Sequence, residues 1–329
     1  MTIGITLGEG ECNAVRLAYD EATKAGLPVV IDTMFIGSPN ARAAPAIEAA
    51  VRLTQLPHII AVIGHNNSAA SLAAAPIYNQ SKVVQMSPNS TAVRYSEAGP
   101  YSYRIVSPDD GQGRFLADQL LAHSRGRRVA LMYVNDDYGR SLRAEFLRGI
   151  PAGAVEWVLD EPHIEGQMDV QQRVNALVDG HPEVIVWLGR GSELANLLPE
   201  IRRRLGNVII YGGDAVGTIA IQSKDPAWTG VSFVDLVDLN GSAEVRALRV
   251  RYKQRFGREP TASEVLAFDA MNVVIAAVRS GARTGAQVQE FLDALGHTRS
   301  TFQGVAGPIK FDAKGDVARQ YVMTVVPKS

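Results

Sequence analysis

Short apolar runs alternate along the chain with longer stretches whose apolar residues recur every three to four positions. That is the pattern of β-strands joined by amphipathic helices on a parallel sheet. In the first part, strands are expected at 3–7, 28–31, 59–63 and 83–86, and helices at 13–24, 43–53 and 68–78. The run IIAVI at 59–63 lacks any polar alternation, so its strand is expected to be buried. After a strand at 103–106 the pattern restarts: helices at 113–123, 140–147, 170–178 and 193–203 alternate with strands at 128–134, 155–159, 183–188, 208–211 and 231–234. Three helical stretches come next, at 243–256, 263–279 and 286–295. The chain then runs through GPIKFDAKGD and YVMTVV, which read as two short strands around a turn at Lys314 and Gly315.

Two successive β-α series in 329 residues exceed what one core usually holds, so two α/β lobes are expected. With 46% hydrophobic and 20% charged residues the chain has the composition of a soluble globular protein. A formal net charge of -1 gives no electrostatic reason to expect nucleic acid or an anionic membrane as partner. Cys12 is the only cysteine, which excludes an internal disulfide and a site built of several thiolates. The opening MTIGITLGEGE reads as a strand, not as a basic stretch before an apolar core, so a secreted product is expected to have lost its leader. No apolar run of about 18 residues is present to span a bilayer.

Candidate chemistry gathers at the ends of the expected strands, where ligands sit in doubly wound folds. Gly8, Gly10 and Asn13 have the spacing of a dinucleotide fingerprint, with Asp32 about 20 residues on. Asn13, however, stands where a small residue is needed for close helix packing, so no cofactor is expected. In GHNNSAAS, 64–71, Ser68 opens a helix whose free N–H groups suit an anion, although Asn67 or Ser68 serves equally well as its cap. SPNST, 87–91, comes directly after the neighbouring strand and brings Asn89, Ser90 and Thr91 to the same sheet edge. In the second series the strand ends carry Asp136, Asp137 and Tyr138, then Arg190, then Asp214. An acid there suits an ammonium group, and an arginine suits a second anion. Six histidines lie scattered without metal-ligand spacing, and no GxSxG elbow or Walker loop occurs, so no catalytic or metal residues are expected.

The ordered strings IGHNNSAASLAAAPIY, SPNSTA, YRIVSPDDGQG, VALMYVNDDYGRSL and GPIKFDAKGD together resemble the branched-chain amino-acid binding proteins of ABC transporters, over nearly the whole chain. The resemblance implies a type I periplasmic-binding fold. It has two doubly wound α/β lobes joined by three crossovers: 1–107 with 237–305, and 108–236 with 306–329, with a ligand cleft between them. Ser68, Thr91 and the backbone at Asn89, in the loop that also holds Ser90, match the contacts to a ligand carboxylate. Asp214 matches the acid that holds the ammonium, and Tyr138 a tyrosine of the cleft. Arg190 stands where an aromatic wall residue is common, and is expected either to favour an acidic or polar ligand or to pair with a carboxylate such as Glu193. The short GEGECN replaces a longer covering loop. The resemblance therefore implies a monomeric periplasmic or extracellular solute receptor that delivers an amino-acid-like ligand or small carboxylate to an ABC permease. A signalling sensor and an NAD-dependent enzyme are the competing expectations.

Overall fold

The computed structural model describes residues 1–26, 30–33 and 43–327, with the backbone alone at 30–33. The expected strand residues 28 and 29 lie outside the described residues. The chain divides into two units, Met1–Pro108 with Val237–Gln320 and Asp109–Leu236 with Tyr321–Ser329, and so passes from one to the other three times.

The first unit begins β1 (Thr2–Thr6), α1 (Glu9–Lys24), β2 (Val30–Thr33), α2 (Ala43–Thr54), β3 (Ile59–Gly64), α3 (Ser68–Gln80), β4 (Val84–Ser87) and β5 (Ser102–Arg104). The second holds α4 (Asp109–Ser124), β6 (Arg128–Val134), α5 (Asp137–Arg148), β7 (Glu156–His163), α6 (Val170–Gly180), β8 (Val184–Leu188), α7 (Gly191–Leu205), β9 (Ile209–Gly212), α8 (Gly217–Gln222) and β10 (Ser232–Asp235). The chain then adds α9 (Ala243–Phe256), α10 (Ala262–Arg279), α11 (Gly285–Ala294), β11 (Phe302–Gly304) and β12 (Gly307–Ile309) to the first unit, and β13 (Val322–Val325) to the second.

The first sheet runs β2-β1-β3-β4-β5, all parallel. The second runs β13-β10-β9-β8-β6-β7, parallel except for β13 on its edge. Each sheet reverses its winding once, between β1 and β3 and between β6 and β8. In open α/β sheets such a reversal opens a crevice at the carboxyl ends of the strands. The runs IAVIG (60–64) and VIVWL, fully buried, form central strands because helices cover both faces. Helix α10, apolar on almost every side, is correspondingly buried along nearly its whole length.

Three sequence expectations change. Helix α1 starts at Glu9 instead of residue 13, with Glu9 and Glu11 in its first turn, where acidic side chains favour the helix dipole. Gly10 therefore lies inside the helix, and its lack of a side chain serves packing: a Cβ there would come within 2.0 Å of Glu264 Oε1. The two C-terminal strands form no hairpin. β12 pairs with β11, whereas β13 pairs with β10 in the other unit. Finally, residues 306–320, expected in the second lobe, belong to the first. Polar anchors explain why: Arg319 donates to the carbonyls of Ile105 (2.5 Å) and Ala306 (2.7 Å), and Asp316 pairs with Arg104 at 2.6 Å. The Asp269 carboxylate on α10 accepts from the N–H groups of Val305 (2.7 Å) and Ala306 (2.8 Å), fixing the β11–β12 turn.

Candidate functional site

In the first unit the loops after β1, β3 and β4 meet at one sheet edge. Asn67 is the cap of α3, its side chain accepting from Ala70 N at 2.9 Å. Ser68 is thereby released from capping. Its buried hydroxyl accepts from Ala92 N at 3.1 Å and keeps its own proton to donate. Thr91 is fully buried and its Oγ1 has no partner. Asn89 donates through Nδ2 to Asn66 Oδ1 at 3.0 Å and more weakly to Glu11 Oε1 at 3.4 Å, while its own Oδ1 is buried without a partner. Ser90 is used differently. Its hydroxyl accepts from Ser87 Oγ and donates to Ser71 Oγ, both at 2.7 Å, and Ser71 Oγ also accepts from His65 N at 3.0 Å. This chain of hydroxyls ties β3, α3 and β4 together and leaves Ser90 a supporting part.

Two residues of this edge escaped the sequence reading. Arg104, on β5, is wholly buried and reaches under the 87–91 loop, donating to the carbonyls of Ser90 (3.1 Å) and Ala92 (2.9 Å). It thus sets the loop's shape from below, and its charge is met by Asp316. Glu11 brings a carboxylate beside Asn89. Burial pushes its pKa up, as does nearby Glu264, against the lowering effect of its own backbone N–H and of Asn89. The only signal for Glu11 was its place just past the first strand.

In the second unit the ends of β6, β8 and β9 bring Tyr138, Arg190 and Asp214 together. Tyr138 donates its hydroxyl proton to Asp214 Oδ1 at 2.8 Å, and the backbone N–H of Asp214 donates to Gln112 Oε1 at 3.0 Å. Burial holds the Asp214 carboxyl above the ordinary range in spite of these bonds, and raises Tyr138 well above a free phenol. Arg190 lies over the Tyr138 ring, 5.0 Å from its centre, and donates to Asp136 Oδ2 at 2.5 Å. The other oxygen of Asp136 caps α5 by accepting from Gly139 N at 2.9 Å. Asp137 is turned toward Arg140, 3.7 Å away on the same helix.

The expected pairing of Arg190 with Glu193 does not form. Glu193 accepts instead from His163 Nε2 at 2.8 Å and from Gly166 N at 3.3 Å, because the loop after β7 comes between them. The second carboxylate near Arg190 is Glu165 of that loop, 3.7 Å from its Nε. Neither Glu165 nor Gln112 carried a sequence signal, since each belongs to a segment remote in sequence from the residues it meets. The fingerprint at Gly8 and Gly10 falls away as a phosphate site, because acidic side chains occupy the first turn of α1 where the phosphate would lie.

Each unit thus presents polar side chains at the carboxyl ends of its strands, beside the reversal of its sheet. A family model described as periplasmic binding protein matches residues 4–328. The chain belongs to the periplasmic binding protein family. As a member it is a solute-binding receptor and not an enzyme. Among relatives of this periplasmic binding protein, Leu/Ile/Val-binding protein homolog 1 of Brucella abortus is 24% identical over 261 residues, covering 78% of this chain and 68% of the relative. A branched-chain amino-acid transporter substrate-binding protein from Streptococcus pneumoniae, solved with isoleucine, superposes with a TM-score of 0.89 at 22% identity, covering 100% of this chain and 96% of the other. A solute-binding protein of an ABC transporter from Rhodopseudomonas palustris, solved with 3,4-dihydroxybenzoic acid, gives 0.87 at 18% identity, with coverages of 99% and 92%.

Proposed function

We propose that this periplasmic binding protein works outside the cytoplasm as a monomeric receptor for an amino acid or related small carboxylate, and passes it to an ABC transporter permease. Ser68, Thr91 and the backbone at Asn89 hold the ligand carboxylate, and Asp214, presented by Tyr138 and Gln112, holds the ammonium. The observation that carries the reading is the opposite chemistry of the two edges. Donors without full partners stand in the first unit, and a desolvated carboxylate stands in the second. One zwitterion satisfies both only when the two units close on it, so binding favours the closed form and gives a permease something to sense. The ligands of the two solved relatives, isoleucine in one and 3,4-dihydroxybenzoic acid in the other, bracket the choice between zwitterion and simple acid. Asp214 favours the zwitterion, because a ligand lacking an ammonium group leaves its carboxylate without a cation.

Thermal unfolding of ligand-free protein against amino acids and small carboxylates tests the reading. A ligand at 100 times its dissociation constant stabilises the folded state by about 2.7 kcal/mol. A shift with amino acids and none with the matched acids lacking an amine is expected. A shift with the acids alone would refute the ammonium role of Asp214.

A further inference from the structure

The string GPIKFDAKGD, 307–316, ends in a turn that lies against β5 of its own unit. Asp312 Oδ1 accepts from the N–H groups of Lys314 (2.8 Å) and Asp316 (3.0 Å), and the Gly315 carbonyl accepts from Arg104 N at 3.0 Å. Gly315 has a φ of +76°, and a Cβ there would come within 2.5 Å of the Ser102 carbonyl, so glycine is what lets the turn approach this closely. The turn thereby delivers the Asp316 carboxylate to the Arg104 side chain.

Asp316 fixes which way the guanidinium points. Arg104 Nε donates to Asp316 Oδ1 at 2.6 Å and Nη2 to Ser96 Oγ at 2.5 Å, while Ser96 Oγ donates to Asp316 Oδ2 at 2.6 Å. The two protons of Nη1 then meet one carbonyl each, Ser90 O at 3.1 Å and Ala92 O at 2.9 Å. The carbonyls of both residues flanking Thr91 are therefore turned toward one buried cation. The Ser90 carbonyl and the Thr91 N–H belong to the same planar trans peptide group, so that N–H points the opposite way. It has no acceptor among the described residues, and Oγ1 of the fully buried Thr91 has no partner either. A charged donor on a carbonyl polarises the peptide group and makes its N–H a stronger donor.

We propose that Arg104 is a positioning residue for ligand recognition, which aims and polarises the Thr91 N–H toward the ligand carboxylate without touching the ligand, and that the 312–316 turn holds it in place. This rests on the reading of Ser68, Thr91 and Asn89 as the carboxylate end of the site, and it adds the group that orients that end. Loss of Arg104 then changes which ligand is preferred, and not only how stable the protein is.

Calorimetric titration of the full chain with two ligands tests it. One is the standard amino acid that most stabilises the unaltered protein against heat; the other is the same amino acid as its carboxamide, at a pH where both carry the ammonium. The unaltered protein is expected to prefer the acid by at least about a hundredfold. Arg104→Met is expected to lower that preference about tenfold, and Arg104→Lys about threefold, since one ammonium cannot serve Asp316, Ser96 and both carbonyls. Both ligands meet only folded molecules, so the ratio of their dissociation constants is unaffected by any fraction left unfolded. Arg104→Lys carries the test if Arg104→Met does not fold. A preference unchanged within about twofold, with both ligands weakened alike, would overturn the positioning role and leave the receptor reading intact. Equal binding of acid and carboxamide by the unaltered protein would overturn the carboxylate end and this inference with it. Stabilisation by no amino acid would remove the receptor reading as well.

Discussion

Arg104 in the first unit and Arg190 in the second both lie at the candidate edges beside carboxylates, but their surroundings differ. Arg104 has no exposed side chain, and its donors end on Asp316, on the carbonyls of Ser90 and Ala92 and on the Ser96 hydroxyl. Arg190 keeps 14% of its side chain exposed, lies over an aromatic ring, and has an Nε without a hydrogen-bond partner. The first arginine is an internal strut for the 87–91 loop, whereas the second belongs to an open charge cluster whose capacity is not used up. The neighbouring groups show the same division. The first unit offers mainly hydroxyl and amide groups, and the second offers ionisable ones. Hydroxyl and amide donors suit an anion, and the carboxylates suit a cation.

The largest expected effect separates the two arginines by stability. Arg104→Met leaves Asp316 with the Ser96 hydroxyl but no positive partner, and strips the Ser90 and Ala92 carbonyls of its bonds, so it is expected to cost about 3–5 kcal/mol in chemical denaturation. Arg190→Met, in a cluster whose side chains keep partial contact with water and where Asp136 retains its bond from Gly139 N, is expected to cost less, about 1–2 kcal/mol. Equal costs would break the contrast. Next comes Asp214→Ala, expected to remove about 2–5 kcal/mol of amino-acid affinity in calorimetry. A matched carboxylic acid without an amine should be almost unaffected, and equal losses would show that Asp214 does not meet the ammonium.

Smaller effects sharpen the picture within the first unit. Thr91→Val is expected to reduce affinity for every carboxylate ligand by about 0.5–1.5 kcal/mol without changing unfolding, since Thr91 Oγ1 has no partner to lose. Ser68→Ala should lower both binding and stability, because Ala92 N loses its acceptor. The smallest effect near neutrality is that of pH. Asp214 must be ionised to hold an ammonium, so a bound cation lowers its pKa relative to the ligand-free protein. Affinity is then level above the raised ligand-free pKa and falls as the pH drops through it. Isothermal titration across that range should show the fall beginning above the ordinary aspartate range, and Asp214→Asn should flatten it.

The strand ends at Ser68, at 87–91, at Tyr138, at Arg190 and at Asp214 were legible in the sequence because each comes shortly after an apolar run. The roles within them were less so. Asn67, and not Ser68, is the cap, and the Ser90 hydroxyl joins an internal chain of serines. Arg190 finds Asp136 and Glu165 in place of Glu193, because an approach through space, not nearness in sequence, sets its partners.

Local patterning is enough to specify the alternation of buried strands and amphipathic helices and the polar loops between them, since these depend on the geometry of each segment alone. Which loops meet and which charges are answered is settled only when the segments pack. Asp316 lies 212 residues from Arg104, and Gln112 lies 102 residues from Asp214. The division of β12 and β13 between the units is settled in the same way. Their own patterns mark both as strands, but a partner strand is chosen by the sheet edge each one reaches.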